Sequence, residues 1–157
     1  MIKQPFLNVV FALAFSATAS AETIGKVSTT FNMLTPNDKI VVDAFDDPEV
    51  SGISCYLSHA TKGGLKGAVG IAEDTSDAAV ACRQVGPISF QGKIAVQDEV
   101  FSERSSLLFK HIQVVRMVDK KRNALVYLVY SDKLIDGSPK NSVTAVPVPL
   151  DQPIPLK

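Results

Sequence analysis

From Ala124 to Tyr130 the chain reads Ala-Leu-Val-Tyr-Leu-Val-Tyr. Side chains of a strand alternate between its two faces. Ala124, Val126, Leu128 and Tyr130 fall on one face, and Leu125, Tyr127 and Val129 on the other. A strand apolar on both faces is central and covered twice, or belongs to a closed or strongly coiled sheet. The fold must therefore be built around a β-sheet. Leu107 to Val118 is a second strong strand signal. The polar run Asp119-Lys120-Lys121-Arg122-Asn123 between them reads as a hairpin turn, with Asn123 able to take a positive φ.

The rest of the chain adds shorter elements. Ile24 to Met33 and Lys39 to Phe45 read as strands, separated by an Asn37-Asp38 turn. Asp46-Asp47-Pro48 ends the second, because proline has no N–H to give a ladder. Ile53, Cys55 and Leu57 alternate with Ser54, Tyr56 and Ser58, the pattern of a half-buried strand closing an antiparallel hairpin. Lys62 to Gly70 holds four glycines and reads as a mobile or sharply bent loop. A helix is expected next. Asp74 stands at an N-cap position with Asp77 three residues on. Ala78, Cys82 and Val85 make an i, i+4, i+7 face, and Gly86-Pro87 is a stop signal. Ile88 to Asp98 reads as irregular chain with at most an edge strand. Ser142 to Val146 is a candidate last strand, and prolines 147, 149, 153 and 155 bar a continued ladder. The expected fold is α+β: a twisted, mostly antiparallel sheet of five to seven strands with one short helix linked to it by disulfide.

The first 21 residues have the pattern of an export signal. Lys3 gives a positive start, Phe6 to Phe15 is apolar except for Asn8, and Ala19-Ser20-Ala21 is a small-x-small cleavage pattern. The apolar run is shorter than the ~20 residues a membrane-spanning helix needs. Cleavage after Ala21 would leave a single domain over 22–148 and a flexible proline-rich tail over 149–157. The residue directly after the cleavage pattern is Glu22 and not cysteine, so no lipid anchor is expected, and the expected location is the periplasm. Removing the leader leaves 15 basic against 16 acidic side chains. That balance argues against a general affinity for nucleic acid or anionic lipid.

Cys55 and Cys82 are the two cysteines. In an oxidising compartment such a pair reads first as a disulfide. A redox pair would more commonly be C-x-x-C. A zinc site wants about four ligands, with only His59 and His111 to help. On a helix face, Cys82 would staple that helix to the strand of Cys55.

Four strings fit one family. Ile40–Pro48 with Cys55 (IVVDAFDDP…C), Ala72–Ile88 (AEDTSDAAVACRQVGPI), Lys121–Lys133 (KRNALVYLVYSDK) and Gly137–Val146 (GSPKNSVTAV) resemble the CreA family of Gram-negative bacteria. The resemblance runs from Ile24 to Val148. It implies an exported protein of unassigned molecular function, and it carries over no catalytic residues. It also implies that Cys55 and Cys82 are the family's cysteine pair, which supports the disulfide. The proline-rich end after Val148 departs from the family pattern.

No motif specifies a reaction. The glycine-rich loop lacks the G-K-[ST] of a phosphate-binding P-loop. Lys62 and Lys66 leave room for a weak anion site, although Asp74 and Asp77 oppose an anion at that helix start. Asp46, Asp47 and Glu49, or Glu73, Asp74 and Asp77, could offer oxygens to Ca²⁺, but neither set has EF-hand spacing and turn or capping roles explain them. No serine lies in G-x-S-x-G. The basic tip Lys120-Lys121-Arg122 reads as a solvated hairpin end, with a partner contact as the alternative. No metal or cofactor is expected. The leading functional expectation is a soluble, non-catalytic binding or interaction module for a periplasmic protein or small ligand. The alternative is a cofactor-free hydrolase using His59 or His111 with a nearby acid. The expected binding surface is the loop with Lys62, Gly63, Gly64, Lys66, Gly67, Glu73 and Asp74, since loops held by a rigid scaffold collect binding residues.

Overall fold

Alternation and β-branched residues shape nearly every element of the computed structural model, which describes residues 19–31, 33, 34, 36–61, 63, 78–104, 111–131 and 140–157. Among these residues there are eight strands and no helix. β1 (Glu22–Ser28), β2 (Lys39–Asp46), β3 (Val50–Thr61) and β4 (Ala78–Phe90) form one antiparallel sheet in that order. β5 (Gln97–Arg104), β6 (His111–Asp119), β7 (Ala124–Ser131) and β8 (Asn141–Pro147) form a second. β4 lies against β7 and β8. The stacked rings of Phe45 and Phe101, 4.3 Å between centroids, join β2 to β5. One core fills the space between, with Ile53, Leu57, Val114, Leu125, Tyr127 and Val129 fully buried.

The α+β expectation is thus corrected to all-β. The expected helix is β4 over its described part, while Asp74 and Asp77 lie outside the described residues. Its burial has period two: Ala78, Val80 and Cys82 are buried, and Ala79, Ala81 and Arg83 exposed. Val85, assigned to the helical face, is 61 % exposed. Ala78, Val80 and Cys82 fit strand alternation as well as Ala78, Cys82 and Val85 fit a helix, and pairing with β3 decides between them. Gly86-Pro87 does not end the element. It sits in a bulge, because the β3–β4 register jumps from Ile53↔Gln84 to Ser51↔Ser89. Gly52 faces that bulge at φ +85°, and a Cβ there would lie 2.3 Å from the Pro87 carbonyl oxygen. Only glycine fits such an approach in that conformation.

The Cys55–Cys82 disulfide is present, and it joins strand to strand rather than helix to sheet. The two residues face each other in the β3–β4 register, with Cα atoms 4.0 Å apart. Of Ile88 to Asp98, expected as irregular chain with at most an edge strand, Ile88 to Phe90 end β4 and Gln97 and Asp98 begin β5, a strand that was not expected over Gln97–Arg104. Its register slips between Glu99 and Phe101, and this bulge turns both Val100 and Phe101 inward.

Residues 148–157 run back along the domain. Val148 N–H donates to Asn123 O, and the Asn123 side-chain amide, at φ 50°, donates to the carbonyls of Val148, Pro149 and Gln152. Further on, Ile94 N–H donates to Pro155 O and Lys157 N–H donates to Ile94 O. Prolines cannot donate, but their carbonyls accept here.

Candidate functional site

Three places bring chemistry-bearing groups together. The first lies on the inward face of the first sheet. Thr23 stands opposite Asp43 in the β1–β2 register, and its hydroxyl donates to Asp43 Oδ1 at 2.6 Å. The His59 ring on β3 meets Asp43 Oδ2 through Nε2 at 2.8 Å. Both partners of the His–Asp pair are nearly buried, with side chains 11 % and 6 % exposed. In a Ser–His–Asp relay the imidazole stands between hydroxyl and acid. Here the acid stands between hydroxyl and imidazole, and the second ring nitrogen, Nδ1, is buried without a hydrogen-bond partner. Asp43 therefore ties β1, β2 and β3 together, and no hydroxyl of the described residues meets His59 Nδ1. His111, at the start of β6, is exposed.

The second place is an ion cluster across the two sheets. Asp47 begins the β2–β3 turn, and its Oδ1 accepts the backbone N–H groups of Glu49 and Val50 at 2.9 and 3.0 Å. Arg116 of β6 reaches the same carboxylate through Nη1 at 2.7 and 2.9 Å. Tyr127, facing Arg116 on β7, donates its hydroxyl to Asp47 Oδ2 at 2.8 Å. Arg116 Nη2 donates to Glu49 Oε2 at 2.5 Å, and Lys157 Nζ lies 3.6 Å from Glu49 Oε1. Burial alone would lower the Arg116 pKa, but the Asp47 and Glu49 carboxylates outweigh it and hold the guanidinium charged. Burial, with Asp47 alongside, pushes the Tyr127 hydroxyl far above the usual phenol value. The Arg116 hydrogen bond draws Glu49 below the ordinary carboxylate range, against the effect of burial. The sequence alone puts Asp47 and Glu49 in a turn or a weak Ca²⁺ set and gives Arg116 and Tyr127 no role. An arginine inside the apolar run of β6 is the available signal, because a charge at such a position needs a buried partner.

The third place is surface. A cavity of about 480 Å³ opens beside the β2–β3 turn. Asp46, Ser51, Ser54 and Gln91 give it polar walls, Val85 an apolar one, and Ala19 and Ser20 close one side. Ser54 Oγ donates to Asp46 Oδ1. Further along, the connection from β1 to β2 presents Phe31, Met33 and Leu34 at 85 %, 88 % and 97 % exposure, and Ile24 and Val27 on β1 are exposed too. Of the expected binding loop, only Gly63 belongs to the described residues. Its N–H donates to Asp38 Oδ1 at 2.8 Å, and a Cβ there would lie 1.8 Å from the Pro36 carbonyl oxygen. Gly63 itself thus lies against Pro36 and Asp38 of the β1–β2 connection. Lys62, Gly64, Lys66, Gly67, Glu73 and Asp74 lie outside the described residues. Among the described residues no three His, Cys, Asp or Glu side chains gather as a metal site, and no helix is long and apolar enough to cross a membrane. The basic tip is self-contained: Asp119 accepts from the backbone of Lys121 and Arg122 and pairs with the Arg122 side chain at 2.8 Å.

These features define a two-sheet antiparallel β-protein with a disulfide between neighbouring strands and a buried ion cluster between sheets. No solved structure matches it. The chain belongs to the CreA family: the family model described as CreA protein matches residues 24–150. It is 58 % identical over 134 residues to Protein CreA of Escherichia coli strain K12, covering 83 % of this chain and 85 % of that one. The same identity and coverage hold against Protein CreA of Escherichia coli O157:H7.

Proposed function

We propose that this CreA family chain is a soluble periplasmic binding protein, exported with loss of residues 1–21, that recognises a protein partner without chemistry of its own. The observation that carries the reading is the exposure of Phe31, Met33 and Leu34 on one connection. Clustered exposed apolar side chains mark interaction surfaces more often than scattered ones do. Gly63, the one described residue of the expected binding loop, lies against Pro36 and Asp38 of the same connection, which supports the reading.

The test has two arms. Intact mass of protein recovered from a periplasmic fraction should show Glu22 as the first residue. The triple variant Phe31→Ser, Met33→Ser, Leu34→Ser should unfold at the wild-type temperature yet lose cross-linked species formed in that compartment. Unchanged cross-linking would sink the reading.

A hydrolase reading is favoured by one observation, the Asp43–His59 pair. It requires a hydroxyl on His59 Nδ1, and that atom has no hydrogen-bond partner. His59→Gln should therefore leave any esterase activity of the preparation unchanged.

A further inference from the structure

β2 is longer than the strand that covers its outer edge. β1 pairs with Lys39 to Ala44, and its first residue, Glu22, stands opposite Ala44. The paired strand begins at Glu22; the same register continued outward for three residues would set Ala21, Ser20 and Ala19 beside Phe45, Asp46 and Asp47. Ala19 and Ser20 do wall the same cavity as Asp46 and Asp47, and Ala19 and Ala21 pack their methyl groups against the core. The chain's own small–polar–small tripeptide thus occupies a track along the end of β2. These are also the residues that the export reading removes.

We propose that in the processed protein this vacated track is a binding slot for an extended peptide that ends in small–polar–small residues with a free carboxylate. The proposal rests on the export reading and deepens it. Cleavage after Ala21 strips the outer edge of Phe45–Asp47 and uncovers core beside the ~480 Å³ cavity. An incoming peptide lies along this stretch of β2 as a short added strand, with main-chain bonds giving affinity and shallow small-residue seats giving selectivity. The same cleavage creates an α-ammonium on Glu22, opposite Ala44. A peptide in the Ala19–Ala21 track ends its carboxylate against that ammonium, a charge-assisted pair absent before cleavage.

The acids around the track are accounted for. Asp47 is satisfied by Arg116 and Tyr127. Asp46, hydrogen-bonded by Ser54, faces the middle position and favours a polar or basic residue there. The Glu22 side chain is exposed and free to turn to solvent. The precursor fills its own slot, so the slot is blocked until processing.

The test uses two chains, one released with Glu22 as its first residue and one spanning 19–157. The probes are N-acetyl-Ala-Thr-Ala-Ser-Ala with a free C-terminus and the same peptide as its C-terminal amide. The Glu22-first chain should bind the acid by calorimetry, with the amide weaker by about tenfold or more. The 19–157 chain should bind neither. Ser51→Trp, at an exposed residue of the cavity wall, should keep the wild-type unfolding temperature and lose the acid. No binding by the Glu22-first chain, equal binding of acid and amide, equal binding by the longer chain, or full binding by a folded Ser51→Trp would each overturn the slot. Intact mass of periplasmic protein is read separately, and a first residue other than Glu22 would overturn the export reading alone.

Discussion

Arg116 is fully buried, and its charge must be answered inside the core. It answers Asp47 and Glu49 from the turn of one sheet while standing on the second strand of the other. Removing one partner of such a pair leaves an uncompensated charge and costs about 3–5 kcal/mol. Arg116→Met should lower the urea-unfolding free energy by about that amount. Adding Asp47→Asn to it should recover part of the loss, since no fully buried carboxylate then stands unpaired, while Glu49 is 32 % exposed and keeps Lys157 nearby. A double variant no better than the single one would show that the cluster matters by shape and not by charge. Glu49 gives the cluster a pH signature. Its folded pKa lies below the ordinary value of 4.5, so its contribution is present above that value and is lost as pH falls through the lowered folded value. The urea midpoint should therefore drop below about pH 4.5, and Glu49→Gln should flatten that part of the profile.

At the scale of elements, β3 and β4 are joined twice, by the Cys55–Cys82 bridge and by the close approach of Gly52 to Pro87. Replacing both cysteines with Ser should cost about 2–5 kcal/mol in thermal or urea unfolding. Gly52→Ala should cost about 2–4 kcal/mol, because strain at positive φ adds to a clash with backbone. Gly92, at φ +100° with nothing within 4 Å of where a Cβ would stand, is the control. Its Ala variant bears the strain alone, and equal losses at both sites would refute the clash. The same strands show how much of the fold the sequence carries. β2, β3, β6, β7 and β8 are legible, because alternation or a strongly apolar, β-branched run leaves one period. β4 is not, because Ala78 to Val85 satisfies both periods and its alanines favour a helix in isolation. The arbiter is β3, which no local window contains. β5 is hidden by its bulge, which buries the adjacent Val100 and Phe101 and so erases alternation. The candidate site is less legible still: Asp43, His59 and Thr23 are far apart in sequence, and only the sheet register brings them together.

Across the whole molecule, the chain ends at one place. Lys157 pairs with Glu49 at the ion cluster, and Leu156 bridges to Ile94, which is wholly buried. On the way the tail is held by Asn123 at the β6–β7 turn and by Gln152, whose amide donates to Ile88 O at 3.0 Å. Composition alone reads 149–157 as loosely held, because four prolines from 147 onward preclude a ladder. The contacts bypass that limit by using proline carbonyls, the Asn123 and Gln152 side chains and the half-buried Ile154 and Leu156. The two readings differ sharply in what truncation does. If the tail were a loose appendage, ending the chain at Leu150 would leave stability unchanged. Tied as it is, truncation uncovers Ile94 and breaks the Ile94 and Gln152 hydrogen bonds. It should cost about 2–4 kcal/mol, from partial loss of two aliphatic side chains and the bonds that seat them. Urea unfolding of the Leu150-terminated chain measures this. Hydrogen exchange at the Ile94 amide, whose acceptor is Pro155 O, locates it: that amide should be protected in the full chain and exchange freely in the truncated one.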